Sequence, residues 1–370
     1  GDHRDLPYPL RRQRQMCIRD SALADLFTRT ARWDDLLALL GRASADEIHP
    51  RRRASLRRRM GDLHRLRGDD PALGLAAYTE ALRVDPAESG AREGLRALLD
   101  VPAVAHDAVA VLAAAVVATD DWAELLALLE ARLAAAPSGL ERAALLMEAA
   151  QIAERRGNDP DGALHHAARA LPLAANDADT RAVLEAELSR LARLADGWDV
   201  VVDAYRAALA APGGDLERDA ALAFRLGEIH EQERGDAALA LEAYLQVAEA
   251  HRDRVGAARA VVRVAGRVGR WDAAAEALVA NAALQGSVDP SIVEALASVA
   301  DARREWPEAM EALTARVADT EAPPALLRAL ETHLAVWQRD RLDDDDAATR
   351  TLARAVARDG GDAATLDMLA

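Results

Sequence analysis

Apolar positions recur at helical spacing along this chain. From Trp122, the residues Trp122, Leu125, Leu126, Leu129 and Leu133 fall at i, i+3, i+4, i+7 and i+11, one stripe of an amphipathic α-helix. The stretch AAAPSG at 134–139 ends that helix. LERAALLMEAAQIAERR at 140–156 reads as a second one, and GNDP at 157–160 separates it from a third, DGALHHAARAL. No stretch reads convincingly as a strand. The pattern predicts helix, turn, helix, turn, and an all-α chain.

The turns repeat. GNDP matches GDDP at 68–71 and RGDA at 234–237. In each, a Gly-Asx pair headed by Gly68, Gly157 or Gly235 closes one helix, and the next opens at Pro71, Pro160 or Ala237. Glycine suits the left-handed residue that ends a helix. The Asp suits the cap, and proline is tolerated in a first turn because its missing N–H was unpaired anyway. Trp33, Trp122, Trp198, Trp271 and Trp306 stand at the same structural point. Asp34, Asp199 and Asp272, one residue further on, place negative charge where the helix dipole favours it.

Helix openings are therefore expected at Trp33, Pro71, Trp122, Pro160, Trp198, Ala237, Trp271, Trp306 and Asp344, at intervals of 38, 51, 38, 38, 39, 34, 35 and 38 residues. The long interval holds an extra break at DVPA (100–103), read as an additional short helix. Two helices per unit at this period predict a right-handed α-solenoid of about nine helix–turn–helix units over 21–370. The tryptophans are expected to wedge against the preceding helix. Their other reading is an exposed cluster that binds a partner.

Composition narrows the function. The apolar share of 51% is carried mainly by Ala, Leu and Val, with only 3% aromatic residues, which favours helix. All 46 basic residues are Arg, which reads as a genome-composition bias. Residues 1–20, with the run RRQRQMCIRD, resemble translated sequencing-adapter read-through; the other reading is a native basic tail. They show no apolar signal-peptide core. The chain stops mid-helix at TLDMLA, so truncation is expected there. The tail holds the only cysteine, Cys17, and five Arg against three Asp, so the rest of the chain carries −18. That excess argues against nucleic-acid partners, which require phosphate-neutralising cations. The longest apolar run, AVAVLAAAVVA at 108–118, is eleven residues, too short to span a bilayer. The cytoplasm is the expected compartment, the periplasm the alternative.

Two units resemble tetratricopeptide repeats. In GDLHRLRGDDPALGLAAYTEALRVDP (61–86), Gly61 matches the small residue where the paired helices touch. Gly68-Asp69 matches the turn, Tyr78 and Ala81 the core of the second helix, and Pro86 the terminal proline. LGEIHEQERGDAALALEAYLQV (226–247) offers Gly227, Gly235, Ala240 and Tyr244 without the proline. The first unit has one extra residue in its turn, the second one extra in its first helix. The resemblance covers 21–370 by period and these two segments by motif. It implies a concave groove, lined by the first helices, that binds protein or peptide segments. The matching positions are Arg58, Asp62 and Arg65 in one unit and Phe224, Glu228 and Glu231 in the other. They do not reproduce the Lys/Asn carboxylate clamp found in some members of the family.

One segment stands apart in charge. Residues 51–67 hold eight Arg and one Asp, leaving −25 for the rest of the body. Leu56, Met60 and Leu63 give the segment an apolar face. Arg51, Arg52, Arg58, Asp62 and Arg65 are the candidate partner-binding residues, for an acidic segment; the plainer reading is a solvated helix pairing with acidic neighbours. DDDD at 343–346 lacks the glycine and distal glutamate of a calcium loop and reads as a helix N-terminus. His165 and His166 are adjacent and point to different sides. No nucleophile elbow, P-loop, dinucleotide-binding glycine signature or zinc motif occurs. A non-catalytic interaction scaffold without cofactor is therefore expected. The alternatives are the helper region of a larger enzyme or signalling protein, and an RNA-binding helical repeat, which the acidic charge disfavours.

Overall fold

A computed structural model describes residues 22–68, 70–250 and 254–359. Residues 1–21 with Cys17, Asp69, residues 251–253 and residues 360–370 lie outside the described residues. Among the described residues there is no strand. The helices are α1 (22–29), α2 (Trp33–Asp46), α3 (Pro50–Arg67), α4 (Pro71–Val84), α5 (Ser89–Leu98), α6 (Ala105–Ala118) and α7 (Trp122–Ala127). They continue with α8 (Leu129–Ala135), α9 (Gly139–Arg155), α10 (Pro160–Ala174), α11 (Ala178–Ala195), α12 (Trp198–Leu209), α13 (Leu216–Glu228) and α14 (Ala237–Ala250). The last are α15 (Val255–Arg267), α16 (Trp271–Gln285), α17 (Pro290–Arg303), α18 (Trp306–Ala318), α19 (Pro324–Leu342) and α20 (Asp345–Asp359). With α7 and α8 taken as one helix interrupted at Leu128, the described helices form nine successive helix–turn–helix pairs with α5 left over. The fold is an all-α solenoid.

The chain divides into two compact units within α10, between His166 and Ala167. In the first, Leu36, Leu39 and Leu40 of α2 meet Leu56, Met60 and Leu63 of α3. A second core joins Tyr78 and Leu82 of α4, Leu95 of α5, Leu112 of α6 and Leu125 of α7. In the second unit, one core runs from Tyr244 of α14 through Val261, Leu278, Leu296 and Leu313 to Trp337 of α19.

The turn inside each pair has one backbone signature. The residue two before the second helix has positive φ: Ala31 (51°), Asp120 (54°), Asn158 (50°), Asp196 (52°), Gly235 (67°), Gly269 (76°), Arg304 (59°) and Asp343 (53°). In the longer α3–α4 turn it is Gly68 (69°), three before Pro71. The left-handed residue of the α9–α10 turn is thus Asn158, a correction to the reading of Gly157. The Asp caps are present: Asp70 accepts from Ala72 N–H at 3.0 Å, Asp159 from Gly162 at 2.9 Å and Asp236 from Leu239 at 3.1 Å. Left-handed backbone costs an L-residue with a Cβ about 1–2 kcal/mol. Arg304→Gly is therefore expected to stabilise the α17–α18 pair by about 0.5–1 kcal/mol after the added freedom of the unfolded chain is offset. A chemical-denaturation midpoint below the parent's would contradict this.

The tetratricopeptide-like contact is made in both motif-bearing pairs. A Cβ placed on Gly61 would lie 2.6 Å from Tyr78 Cε1, and one on Gly227 2.5 Å from Tyr244 Cε1. Each tyrosine ring occupies the space that a Cβ on the partner helix's glycine would fill. The extra residue of the second motif is accommodated as a π-turn, Ile229–Glu233, the usual way one residue is inserted into a helix without breaking it.

Inside that π-turn His230 is buried. Burial holds its imidazole below the ordinary range, Arg234 and Arg206 repel the charged form, and Asp236 and Glu242 oppose them. An unfolded histidine titrates near 6.5. As pH falls through that value the unfolded chain takes up a proton that folded His230 refuses, so stability is full above it and declines below. His333 of α19 is lowered in the same direction by burial. His230→Leu is expected to make the loss of denaturation midpoint between pH 7.5 and 5.5 shallower, leaving the His333 share. An unchanged slope would contradict it.

The recurring tryptophans fall into two groups. Trp271 and Trp306 are each 6% exposed, whereas Trp33, Trp122 and Trp198 are half-buried. The Trp306 ring is tilted against Trp337 at 5.5 Å, and its Nε1 donates to Asp301 of α17 at 2.8 Å.

Candidate functional site

α3 is a helix because Pro50 occupies its first turn, the Leu56, Met60 and Leu63 stripe packs on α2, and Gly68 closes it in the left-handed conformation. Ala54 and Gly61 are its buried residues, and Gly61 lets the Tyr78 ring of α4 approach. The remaining surface is arginine. No acid stands in the first turn and His49 makes no side-chain cap, so Arg51, Arg52 and Arg53 crowd the positive end of the helix dipole. That arrangement is unfavourable until an anion approaches.

The structure divides these arginines into held and unheld groups. Arg58 Nη1 donates to Asp62 Oδ2 at 2.5 Å, and its Nε faces Glu88 at the start of α5 at 3.2 Å. Asp62 also accepts from the Tyr78 hydroxyl at 2.9 Å. Burial, then that hydrogen bond, pushes the Tyr78 hydroxyl up to about 12, with Arg65 pulling the other way. Arg67 Nη1 reaches Asp34 of α2 at 2.7 Å. Glu80 of α4 is held below its usual range chiefly by its hydrogen bond with Arg83, and Arg57 and Arg53 add to the attraction. Arg51, Arg52 and Arg59 are exposed and have no partner among the described residues. Arg52, Arg59 and Leu66 are seven residues apart and share one face, and Leu66 is 75% exposed.

Of the candidate residues, Arg58, Asp62 and Arg65 gather around Tyr78, while Arg51 and Arg52 stand at the far end of α3 facing water. Sequence reasoning missed Glu88, which occupies Arg58. It also missed Arg92, which binds Glu124 of α7 at 2.8 Å, the Ala115 carbonyl at 3.1 Å and the Pro86 carbonyl at 2.9 Å. The i, i+4, i+8 spacing of Glu88, Arg92 and Arg96 was the only trace of this cluster in the sequence.

The second unit presents the opposite electrostatics. Glu231, in the π-turn, accepts from the Tyr244 hydroxyl at 3.0 Å, from Arg263 Nη2 at 2.7 Å and from Arg267 Nη1 at 2.8 Å. Arg225 pairs with Glu228 at 2.7 Å, Arg190 with Glu187 at 2.7 Å and Arg193 with Glu233 at 2.9 Å. Phe224 packs its ring on Tyr244 at 5.3 Å. These cations are already satisfied within the protein, whereas Arg51, Arg52 and Arg59 are gathered unpaired on one helix.

The remaining acidic and histidine motifs have structural partners. In DDDD, Asp343 is the left-handed closing residue of α19, Asp344 accepts from Ala347 N–H at 2.8 Å, and Asp345 and Asp346 lie in the first turn of α20. A ring nitrogen of His165 lies 2.8 Å from the Asp161 carbonyl. No group of three or more His, Cys, Asp or Glu among the described residues is placed to hold a metal ion. No described helix is long and apolar enough to cross a membrane.

The nine left-handed turns and the two Gly–Tyr contacts define the class: a helical-repeat solenoid built of tetratricopeptide-like pairs. No protein-family profile matches the chain, and no curated protein matches it. Among solved structures it is similar to a tetratricopeptide repeat protein from Parabacteroides merdae, at 15% identity over 71% of this chain and 97% of that one, with a TM-score of 0.28. It is also similar to the C-terminal part of a repeat-containing protein of the same kind from Cytophaga hutchinsonii, at 12% identity over 79% of this chain and 98% of that one, with a TM-score of 0.28.

Proposed function

We propose that this chain is a non-catalytic scaffold that binds an acidic or phosphorylated protein segment over the exposed face of α3. The observation that carries the reading is the set of unpartnered guanidinium groups of Arg51, Arg52 and Arg59 in a body of opposite net charge. Guanidinium forks pair bidentately with carboxylate or phosphate. The net negative charge of the rest of the chain disfavours such a ligand away from α3, where the free guanidinium groups are clustered, and makes association salt-sensitive.

The test is a titration of a fluorescent Glu-rich peptide against the parent and Arg52→Glu/Arg59→Glu, at low and moderate salt. These two positions are chosen because Arg58 is tied to Asp62 and Glu88 and its loss would disturb the fold. The double variant is expected to bind at least about tenfold more weakly, with a flatter salt dependence. Equal binding by the double variant, or tighter binding of a Lys-rich peptide by the parent, would overturn the reading.

A further inference from the structure

Among the described residues, α5 is the one helix without a partner in the two-helix repeat, and it changes which helices share a face. α3 packs beside α5 and α4 beside α6. α5 in turn reaches α7, where Arg92 and Arg96 both bind Glu124. So α3, α5 and α7 lie side by side, although α3 precedes a left-handed turn and α7 follows one. In a stack that alternates between two layers, a single unpaired helix exchanges the layers for the helices of the first unit that follow it. The surface that carries Arg52 and Arg59 therefore continues across α5 onto α7 and α8.

On that continuation, between α5 and α7–α8, lies a groove of about 620 Å³ whose lining includes Arg96, Leu99, Ala123, Ala127, Leu128 and Ala131. Leu128 is buried, and Ala123 and Ala127 are exposed on the groove wall. The charge around it is not that of α3. Glu93 is exposed on α5, and Asp121 and Glu124 line the groove, with Glu124 already neutralised by Arg92 and Arg96. Glu93 and Asp121 disfavour a further acidic side chain there, and the uncharged wall of Leu99, Ala123, Ala127, Leu128 and Ala131 suits an apolar one.

We infer that this groove receives a bulky apolar side chain of the same segment whose acidic run lies on α3, making the ligand bipartite. The inference rests on the functional reading above. It also fixes a spacing. Two interaxial steps of 8–10 Å separate α3 from α7, about 18 Å in all, which an extended chain covers in about five or six residues.

The experiment uses fluorescence anisotropy on the full chain with three peptides. The first is a Glu run alone, the second carries Phe six residues beyond the run, and the third carries Phe two residues beyond it. The six-residue peptide is expected to bind about tenfold more tightly than the Glu run, and the two-residue peptide no more tightly. Ala127→Glu charges the groove wall and is expected to abolish that gain while leaving binding of the Glu run intact; Ala123→Glu repeats the test one turn away. Arg52→Glu/Arg59→Glu is expected to weaken all three. No binding of the Glu run to the parent overturns both proposals. Binding of the Glu run with no gain from Phe at six residues, or a gain that survives both Ala variants, overturns the groove alone.

Discussion

Replacing Trp271 by Ala is expected to destabilise the second unit by about 3–5 kcal/mol, the range for truncating a buried Trp or Phe. The ring sits at the start of α16 against the end of α15, where a Cβ on Gly266 would lie 3.1 Å from Trp271 Cζ3. Its Nε1 donates to Glu305 at 2.9 Å, so the ring links two successive helix pairs, from α15 to the turn before α18. Truncation leaves a cavity lined by α15 and removes one donor from Glu305, which keeps Arg303 at 2.6 Å. Trp198→Ala should cost clearly less. Its ring is half-buried, with Arg193 over it at 5.9 Å, so much of its area faces water in the folded state already. Trp122, also half-buried, belongs with Trp198. Urea denaturation of the variants side by side tests the ranking, and equal losses for Trp271→Ala and Trp198→Ala would show that the ring's burial does not set its contribution.

The helix openings were legible because Trp, Pro and Gly-Asx mark them chemically, and the period needs only those marks. The left-handed residues were legible only in part. Ala31 and Arg304 occupy the same backbone conformation as Gly68, yet neither residue type signals it. Packing of the paired helices imposes the turn, and the cost of a Cβ there is small enough to be borne. The π-turn shows a similar limit. The extra residue after Gly227 could be counted, but its accommodation inside the helix depends on Glu231 meeting Tyr244 and Arg263, contacts made across three helices.

The Arg-rich segment was legible as a charged helix because charge is a property of composition. Which of its arginines are free was not. Arg58 is held by Glu88, thirty residues on and across a turn that only the fold closes. The same is true of the exchange of layers at α5. An additional helix could be read from the 51-residue interval, but the side it takes follows from its packing on α3.

Arg92→Met is expected to cost the first unit about 3–5 kcal/mol, the range for removing one partner of a buried ion pair. Arg92 is 7% exposed and its guanidinium is used on every side. It donates to the carbonyls of Pro86 and Ala115, to the Thr119 hydroxyl and to Glu124. These groups belong to the loop before α5, the C-terminal end of α6 and the start of α7, so one side chain ties the odd helix to both neighbours. Methionine fills similar volume but donates nothing, leaving two carbonyls short of a donor and Glu124 with Arg96 alone. Lysine keeps the charge but presents no planar fork, so Arg92→Lys should recover only part of the loss. A double-mutant cycle with Glu124→Gln separates the ion pair from the carbonyl contacts. If the pair dominates, the two changes together cost much less than their sum. If the carbonyl contacts dominate, Arg92→Met stays costly in the Glu124→Gln background, and amide exchange should accelerate first at the end of α6. An Arg92→Met variant that unfolds at the parent's midpoint would mean that α5 is held by its apolar contacts with Tyr78 and Leu112 and that the buried guanidinium is incidental.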